Sequence, residues 1–503
     1  MRKLSIGLNA LLTGINVVLL ALTVYILTII DSPIDFALSF SLCLIYVANI
    51  IFIKISFHNS YTLLKIYITF FIINYAFRLT VLLYDPQMHF FIGWILTDFN
   101  YEDFRQSVLV LTAYHIATGL FLIIVESTRS ISNINLTIFN SKATKVFDAR
   151  LFNILFRWFV ILSFYWLAYN LIFQLGRSQD IGLLSYVNLF LGFDFVFAMI
   201  FLYGLMYYNE LDKKTKINFF ISLFLFSCVS LSGGSRGFLA ILLVIVAIYL
   251  LIMFRDFRIK LTFFNFAIAA TALIILLTTV VVGDIYRTLY RNPEKEFSIG
   301  AALEYSKENP IKWDALFNWA SFRTSRFEYF SMIVVMDDKR SSNSINPINA
   351  IKVVINDLVP GEIFTDGEEK IIPSHMAIPI DYLGAKPDEI SPWHTDVFGL
   401  FGTSIANMGI YTGLPFTLMV LLFYISIIGQ IYHAVPLRYK QIGCIYVCYL
   451  WYGCLTMPGL ESFILSHIYL LMQVGVFILF KESCQVFGCR TQAVTKNLSV
   501  NNV

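Results

Sequence analysis

Residues 8–30 read LNALLTGINVVLLALTVYILTII and contain no charged side chain. A membrane-spanning helix needs about 20 mostly apolar residues to cross roughly 30 Å of hydrocarbon, and this stretch is long enough to do so. A second apolar stretch follows directly at 34–56, and no small-residue cleavage site separates the two. The first stretch is therefore too long and too closely followed by another to be a cleaved signal peptide. We expect two consecutive transmembrane helices.

The composition of the whole chain extends this expectation. Of its 503 residues, 58% are hydrophobic and only 14% are charged, whereas soluble domains contain about 25% charged residues. Such a chain would expose too much apolar surface in water, so soluble, disordered and secreted disulfide-rich classes are excluded. The net charge of +3 is too small to indicate a nucleic-acid partner.

Apolar stretches of about this length recur along the chain and predict about twelve transmembrane helices, and hence an all-α polytopic membrane protein. The span at 398–433 is longer than one crossing requires, and its first part, Gly399 to Gly413, contains four glycines. We expect a broken or re-entrant helix there. The predicted spans are 8–30, 34–56, 61–84, 107–125, 151–175, 184–208, 217–232, 237–254, 261–283, 398–433, 441–457 and 461–480.

Lysine and arginine in the short loops predict the orientation, because cytoplasmic loops carry an excess of these residues. With the amino terminus inside, the inner loops contain most of the basic residues, and the opposite short loops contain only Arg105, Arg177 and Arg236. Both termini are therefore expected in the cytoplasm. The expected organisation is helices 1–9 in 1–283, a large outer loop in 284–397, helices 10–12 in 398–480 and a cytoplasmic tail in 481–503.

The loop 284–397 contains eight of the 13 prolines of the chain, which divide it into short pieces. A helix is predicted over Trp313–Met336, where apolar residues recur at helical spacing. The many aromatic residues argue against disorder, and we expect a folded outer cap.

Charged side chains beside apolar spans are costly to bury and are functional candidates. Arg236 lies in the turn Ser235-Arg236-Gly237 between two predicted spans. An arginine beside free N–H groups at a helix N-terminus fits an anion. The structural alternative is a tight hairpin whose arginine simply reaches the interface.

Two arginine pairs follow, Arg287 with Arg291 and Arg323 with Arg326. Spacings of four and three residues place each pair on one helix face. Two adjacent guanidinium groups repel unless an anion or a carboxylate lies between them, and phosphate or pyrophosphate matches their planar fork. An ordinary salt bridge, for instance of Arg326 with Glu328 or Glu308, is the structural alternative.

His394, just before the predicted broken helix, fits a general base or a phosphate ligand, although a surface histidine is the structural alternative. Arg78 is buried in the third predicted span and is expected to extend outward past Tyr84. Glu461 is expected to face outward in a turn. No Asp-x-Asp pair in an outer loop, HExxH or CxxC motif occurs, so chemistry without a metal or cofactor is the simpler inference.

These features together resemble the Wzy-type oligosaccharide repeat-unit polymerases of bacterial O-antigen and capsule assembly. The resemblance rests on the span number, on the Ser235-Arg236-Gly237 turn and on the arginine-rich outer loop in the second half. It also rests on a stretch that leads into the helix after the loop, with matching residues Ser391, Pro392, Gly402, Asn407, Gly409 and Gly413.

The resemblance implies an inner-membrane glycosyltransferase with a GT-C-like fold and a periplasmic large loop. Donor and acceptor would both be glycans linked to undecaprenyl diphosphate in the membrane lipid, with a flippase and a chain-length regulator as further partners and no nucleic acid. An acceptor hydroxyl would attack the anomeric carbon of the donor, and lipid diphosphate would leave.

On this hypothesis His394, or less readily Glu328 or Asp396, would accept the hydroxyl proton, and Arg291 and Arg326 would act with it at the catalytic centre. The residues expected to hold the diphosphates are Arg236, Arg287, Arg291, Arg323 and Arg326, with Ser235 and Gly237 in the turn.

Three other interpretations remain open. An O-antigen ligase would use the same donor with lipid A-core as acceptor. A lipid-linked oligosaccharide flippase or other transporter would share the span number, but such proteins usually show internal repeats and seldom need a long folded loop. A structural or sensory membrane protein would leave the arginine clusters unexplained.

Replacing Arg236 or Arg291 by alanine is expected to abolish polymer, because a diphosphate leaving group needs concentrated positive charge. The measurement is a gel of the polysaccharide beside a blot of the membrane fraction, where each variant should remain folded. Full-length polymer from either variant would contradict the assignment.

Overall fold

In a computed structural model, the chain forms two compact units. The first unit comprises Met1–Asn140, Ile248–Phe263 and Ile311–Leu465, and the second comprises Ser141–Ala247, Phe264–Pro310 and Ser466–Val503. Within these bounds the structure describes residues 5–29, 36–59, 61–84, 101–128, 149–173, 191, 193–208, 210–232, 258–260, 304, 326–337, 346–358, 364–366, 369–370, 399–434, 450–456, 459–461, 463–465, 467–473, 475–476 and 479.

The described structure is predominantly helical. Two short antiparallel pairs accompany the helices: β1 (Ser5–Gly7) with β2 (Arg258–Lys260), and β3 (Thr365–Asp366) with β4 (Glu369–Lys370). The helices in chain order are α1 (Leu8–Ile29), α2 (Phe36–Asn59), α3 (Thr62–Phe71), α4 (Phe77–Tyr84), α5 (Tyr101–Ser127), α6 (Ala149–Phe173), α7 (Phe193–Met206), α8 (Lys213–Ser232), α9 (Phe327–Val335), α10 (Pro347–Leu358), α11 (Gly399–Met408) and α12 (Ile410–Ala434).

Six of the described helical segments are long and apolar enough to cross a membrane, which identifies a membrane protein and matches predicted spans one to five and ten. The predicted spans at 184–208, 441–457 and 461–480 are described only in part, the one at 217–232 lies within α8, and those at 237–254 and 261–283 lie outside the described residues. The total of twelve stays a prediction. The six segments are Asn9–Thr28, Phe36–Asn59, Thr62–Leu82, Glu102–Ser127, Ala149–Tyr169 and Ile410–Ile427.

In the first unit, α2 lies against α1, α3 and α5, and α1 also contacts α4. Leu42, Ile45 and Ile53 of α2 and Leu64 of α3 are completely buried in the resulting core. A short π-helix joins α3 to α4 without a loop, so the two helices form one continuous crossing.

Glu126, near the end of α5, holds the beginning of α3. Its carboxylate accepts the backbone N–H groups of Leu63 and Leu64 at 3.0 and 2.9 Å. These donors belong to the first turn of a helix, where no intrahelical acceptor is available. Tyr61, the N-cap residue, makes no side-chain capping bond. Glu126 therefore caps α3 from a different helix.

The expected break in the long tenth span is present at Gly409. This glycine has a φ of +85° and separates α11 from α12. α11 is buried from Gly399 to Asn407. A Cβ at Gly413 would lie 2.6 Å from the Tyr114 hydroxyl, so α5 and α12 approach closely there.

The helix predicted over Trp313–Met336 is described only over its last part, as α9. It packs against α5 and α11, and Phe327, Phe330 and Ile333 are completely buried. The sequence pattern predicted a helix in the outer loop but did not predict that it would pack against α5 and α11. Farther along, Asn356 at the end of α10 exchanges two hydrogen bonds with the backbone of Phe364, just before β3.

The second unit packs α6, α7 and α8 through phenylalanine rings. Phe159 stacks on Phe193 with ring centroids 5.1 Å apart, and Phe197 stacks on Phe226 at 3.6 Å. Before α8, the Asp212 carboxylate accepts the Thr215 N–H at 3.1 Å. Bonds from the hydroxyl and the backbone N–H of Thr215 hold the pKa of this carboxyl below its ordinary value, as expected for a helix N-cap.

Replacing Glu126 by alanine is expected to lower the free energy of unfolding by about 1–3 kcal/mol, because buried N–H groups lose their acceptor. Glu102→Ala is the matched control on the same helix, since its pair with Arg105 is exposed and is worth about 0–1 kcal/mol. Heat- or SDS-induced unfolding in detergent measures both. Equal losses would show that Glu126 does not cap α3.

Candidate functional site

Arg78 and Glu328 form an ion pair in the interior of the first unit. Arg78 Nε donates to Glu328 Oε1, and the side chains are only 3% and 2% exposed. Arg78 lies in the apolar segment Thr62–Leu82, and Glu328 lies in the first turn of α9. Charged groups in such surroundings are costly and mark functional sites by default. The pair joins α4 to α9.

The chain between α3 and α4 forms a π-helix over Ile72–Ala76. Such wide turns are rare and frequently occur at functional sites. The backbone carbonyl of Asn74 accepts the N–H of Arg326 at 2.9 Å, while the Asn74 amide donates to the carbonyl of Phe70. The residue that precedes α9 is thus attached to the wide turn.

The Arg326 side chain is partly exposed, although its Nε is buried. It interacts electrostatically with the hydroxyls of Tyr452 and Tyr75 and with the carboxylate of Glu328. The Tyr452 hydroxyl also interacts with the side chain of Asn74. Arg326 is therefore a partly exposed member of a polar cluster.

Gly399 begins α11 beside this cluster, with a φ of +68°. A Cβ on Gly399 would lie 3.1 Å from the Tyr75 hydroxyl, 3.4 Å from the Leu455 carbonyl oxygen and 3.7 Å from Arg326 Cγ. Positive φ and close approach both favour glycine. The start of α11 consequently comes near Arg326 and Tyr75.

Aromatic rings hold the tyrosines of this region in place. The Phe401 ring lies 5.9, 6.5 and 5.5 Å from the rings of Tyr75, Tyr67 and Tyr114. Phe330 of α9 makes edge contacts with Tyr75 and Tyr114 at 6.2 and 6.4 Å. The resulting packing fixes the direction of each phenol ring.

Of the site residues predicted from sequence, Arg326 and the alternative general base Glu328 lie within the described residues. Arg326 precedes α9 and does not lie on it, so helical spacing does not by itself relate it to Arg323. The other predicted residues lie outside the described residues; they are Ser235, Arg236, Gly237, Arg287, Arg291, Arg323 and His394, with Asp396.

One sequence-based expectation is wrong: Arg78 does not extend outward, because it is buried in an ion pair with Glu328 inside the unit. Glu461 is buried, with only 1% of its surface exposed, and its expected position on the outer side of the membrane stays a prediction. Glu328, which the sequence suggested as a salt-bridge partner of Arg326, forms an ion pair with Arg78 and also interacts electrostatically with Arg326. A carboxylate held by a guanidinium is a poorer general base.

Sequence reasoning missed Tyr75 and Asn74. The polar pair Asn74-Tyr75 between apolar residues was the available signal. Near them His115 is fully buried, receives or donates a 2.9 Å hydrogen bond at the Tyr67 hydroxyl and stacks on Phe71 with ring centroids 3.7 Å apart. Nothing local distinguishes such a histidine from an ordinary core residue. In the described part of the chain, no group of three His, Cys, Asp or Glu side chains is arranged to hold a metal.

Removing one partner of the buried ion pair, by Arg78→Ala or Glu328→Ala, is expected to lower the free energy of unfolding by about 3–5 kcal/mol. The double variant R78M/E328L should recover most of that loss, because apolar side chains replace both charges. SDS-induced unfolding of the detergent-solubilised wild type, single variants and double variant measures this double-mutant cycle. A double variant whose loss equals the sum of the single losses would mean that the two side chains are not coupled.

Comparison with known proteins gives no relative for this chain, which matches no family model, no curated protein and no solved structure.

Proposed function

We propose that the protein joins undecaprenyl-diphosphate-linked oligosaccharide repeat units into O-antigen or capsular polysaccharide, as a metal-independent glycosyltransferase at the outer face of the inner membrane. The observation that carries the proposal is the position of Arg326. The sequence predicts this arginine to be a diphosphate ligand, and it lies partly exposed beside the buried Arg78–Glu328 pair in a unit of apolar helices.

The charge of this cluster favours an anionic substrate. Arg78, Arg326 and Glu328 together carry two positive charges and one negative charge. Because Glu328 can neutralise only one of the two arginines, these three side chains carry a net charge of +1. A diphosphate leaving group needs such charge as the bond to the sugar breaks.

The remaining parts of the proposal come from the sequence. The acceptor hydroxyl forms a bond to the anomeric carbon of the donor, its proton passes to His394, and undecaprenyl diphosphate leaves with the bonding electrons. Arg236, Arg287, Arg291 and Arg323 join Arg326 in holding the two diphosphates, with Ser235 and Gly237 in the turn.

We also propose twelve crossings, a GT-C-like arrangement, a periplasmic loop at 284–397 and both termini in the cytoplasm. The pairing of β1 with β2 supports this topology. The two strands must lie on the same side of the membrane, which requires an even number of crossings between residues 7 and 258. The predicted spans between them number eight.

The test supplies the purified protein in detergent with an undecaprenyl-diphosphate repeat unit from the host. A ladder of products of increasing length is expected on a gel, without added nucleotide sugar and in the presence of EDTA. Arg326→Ala should abolish the ladder, whereas Glu102→Ala, which removes an exposed carboxylate remote in sequence, should retain it.

An intact repeat unit after incubation would contradict the proposal. Transfer of a single glycan to added lipid A-core would then indicate a ligase, and movement of the repeat unit across the bilayer would indicate a flippase. An EDTA-sensitive ladder would contradict the metal-independent mechanism alone.

A further inference from the structure

Three groups that bind anions meet where α11 begins. They are the guanidinium-bearing side chain of Arg326, the hydroxyl of Tyr75 and the backbone N–H groups of the first turn of α11 at Gly399. We propose that this junction is a binding site for a phosphate group, in which Tyr75 and the N-terminus of α11 complete the contacts that Arg326 begins.

The Tyr75 hydroxyl is the observation that most directly indicates a ligand. The residue is completely buried, and its hydroxyl has no hydrogen-bond partner among the described residues. A buried hydroxyl without a partner costs free energy, and its presence needs an explanation such as an absent ligand. The hydroxyl points to the start of α11, since it lies 3.1 Å from the Cβ position of Gly399.

The first turn of α11 supplies further donors. The first N–H groups of any α-helix lack intrahelical acceptors, and the helix dipole favours negative charge there. α11 has ten residues and is buried from Gly399 to Asn407, so water screens this end poorly. Because Gly399 has no side chain and a φ of +68°, no Cβ separates these N–H groups from Tyr75.

Arg326 provides the charge, and its position is fixed by the backbone. Its N–H is bonded to the carbonyl of Asn74 in the wide turn that also contains Tyr75. Arg326 and Tyr75 are therefore held by the same turn and interact electrostatically. An arginine fork, a phenol and helix N–H groups are a donor set that matches phosphate oxygens.

The inference deepens the proposed function and rests on it for the identity of the ligand. Within that function the phosphate is part of a lipid-linked diphosphate. A free phosphate or pyrophosphate has the same chemistry, so the test includes a probe for each source.

The test is calorimetric titration of the full chain in phosphatidylcholine nanodiscs with three probes: farnesyl diphosphate, inorganic pyrophosphate and farnesol. Tyr75→Phe removes only the hydroxyl and keeps the ring that packs on Phe401. Because a hydrogen bond to a charged group is lost, it should weaken binding of both diphosphates by about ten- to a hundredfold.

Tyr114→Phe is the matched control. Tyr114 packs on the same Phe401 ring, but its hydroxyl donates to the carbonyl of Ile410 in α12. This variant should bind both diphosphates as the wild type does. Arg326→Lys keeps the charge and removes the planar fork, and it should weaken binding to a similar degree as Tyr75→Phe.

Tighter binding of farnesyl diphosphate than of pyrophosphate would support the site and assign it to a lipid-linked ligand. Equal binding of the two would support the site and assign it to the phosphate alone. Unchanged binding by Tyr75→Phe, or farnesol binding as tightly as farnesyl diphosphate, would overturn the inference.

The two proposals can fail separately. A product ladder together with unchanged diphosphate binding by Tyr75→Phe would contradict the proposed phosphate site but not the proposed polymerase activity. Tyr75-dependent binding of pyrophosphate by a protein that forms no ladder would support the proposed phosphate site and contradict the proposed polymerase activity.

Discussion

The ion pair between Arg78 and Glu328 is the interaction on which the interior of the first unit depends. A guanidinium in an apolar interior is strongly destabilising unless a counter-charge meets it. Glu328 lies 250 residues farther along the chain, so this part of the predicted large loop must return into the helices for α4 to be buried. With it come Phe327 and Phe330, both completely buried, each contributing about 1.5–3 kcal/mol of hydrophobic stabilisation.

The short helix α9 is fastened at both ends as a consequence. At its beginning the N–H of Arg326 bonds to Asn74 in the wide turn. Just after its end, Asp337 accepts the N–H of Ile410 at 3.3 Å, at the first residue of α12. A displacement of α9 would therefore disturb the wide turn and the start of α12 together. Nine residues thus set the spacing between elements that are remote in sequence.

Sequence could predict the features that depend on neighbouring residues. The length of an apolar run fixes whether it can cross a bilayer, which is why residues 8–30 are predicted correctly, and Gly409 marks a break because glycine alone adopts positive φ without strain. The partner of Arg78 could not be predicted, since no local pattern selects Glu328. The wide turn at Asn74 could not be predicted from the sequence either. Of the candidate site, Arg326 was found because arginine pairs are visible in sequence, whereas Tyr75 becomes significant only when α11 is brought against it.

The groups of this cluster are held in place to different degrees, and this affects what chemistry they can support. Stabilisation of a developing negative charge is most effective when donors are already oriented, because no reorganisation is then needed as the charge appears. The Tyr75 ring is held between Phe401 and Phe330, the Arg326 backbone is bonded to the wide turn, and the start of α11 is buried. The Arg326 residue is partly exposed, whereas Tyr75 is completely buried. A phosphate bound here would therefore meet donors that are already oriented by the surrounding rings and backbone.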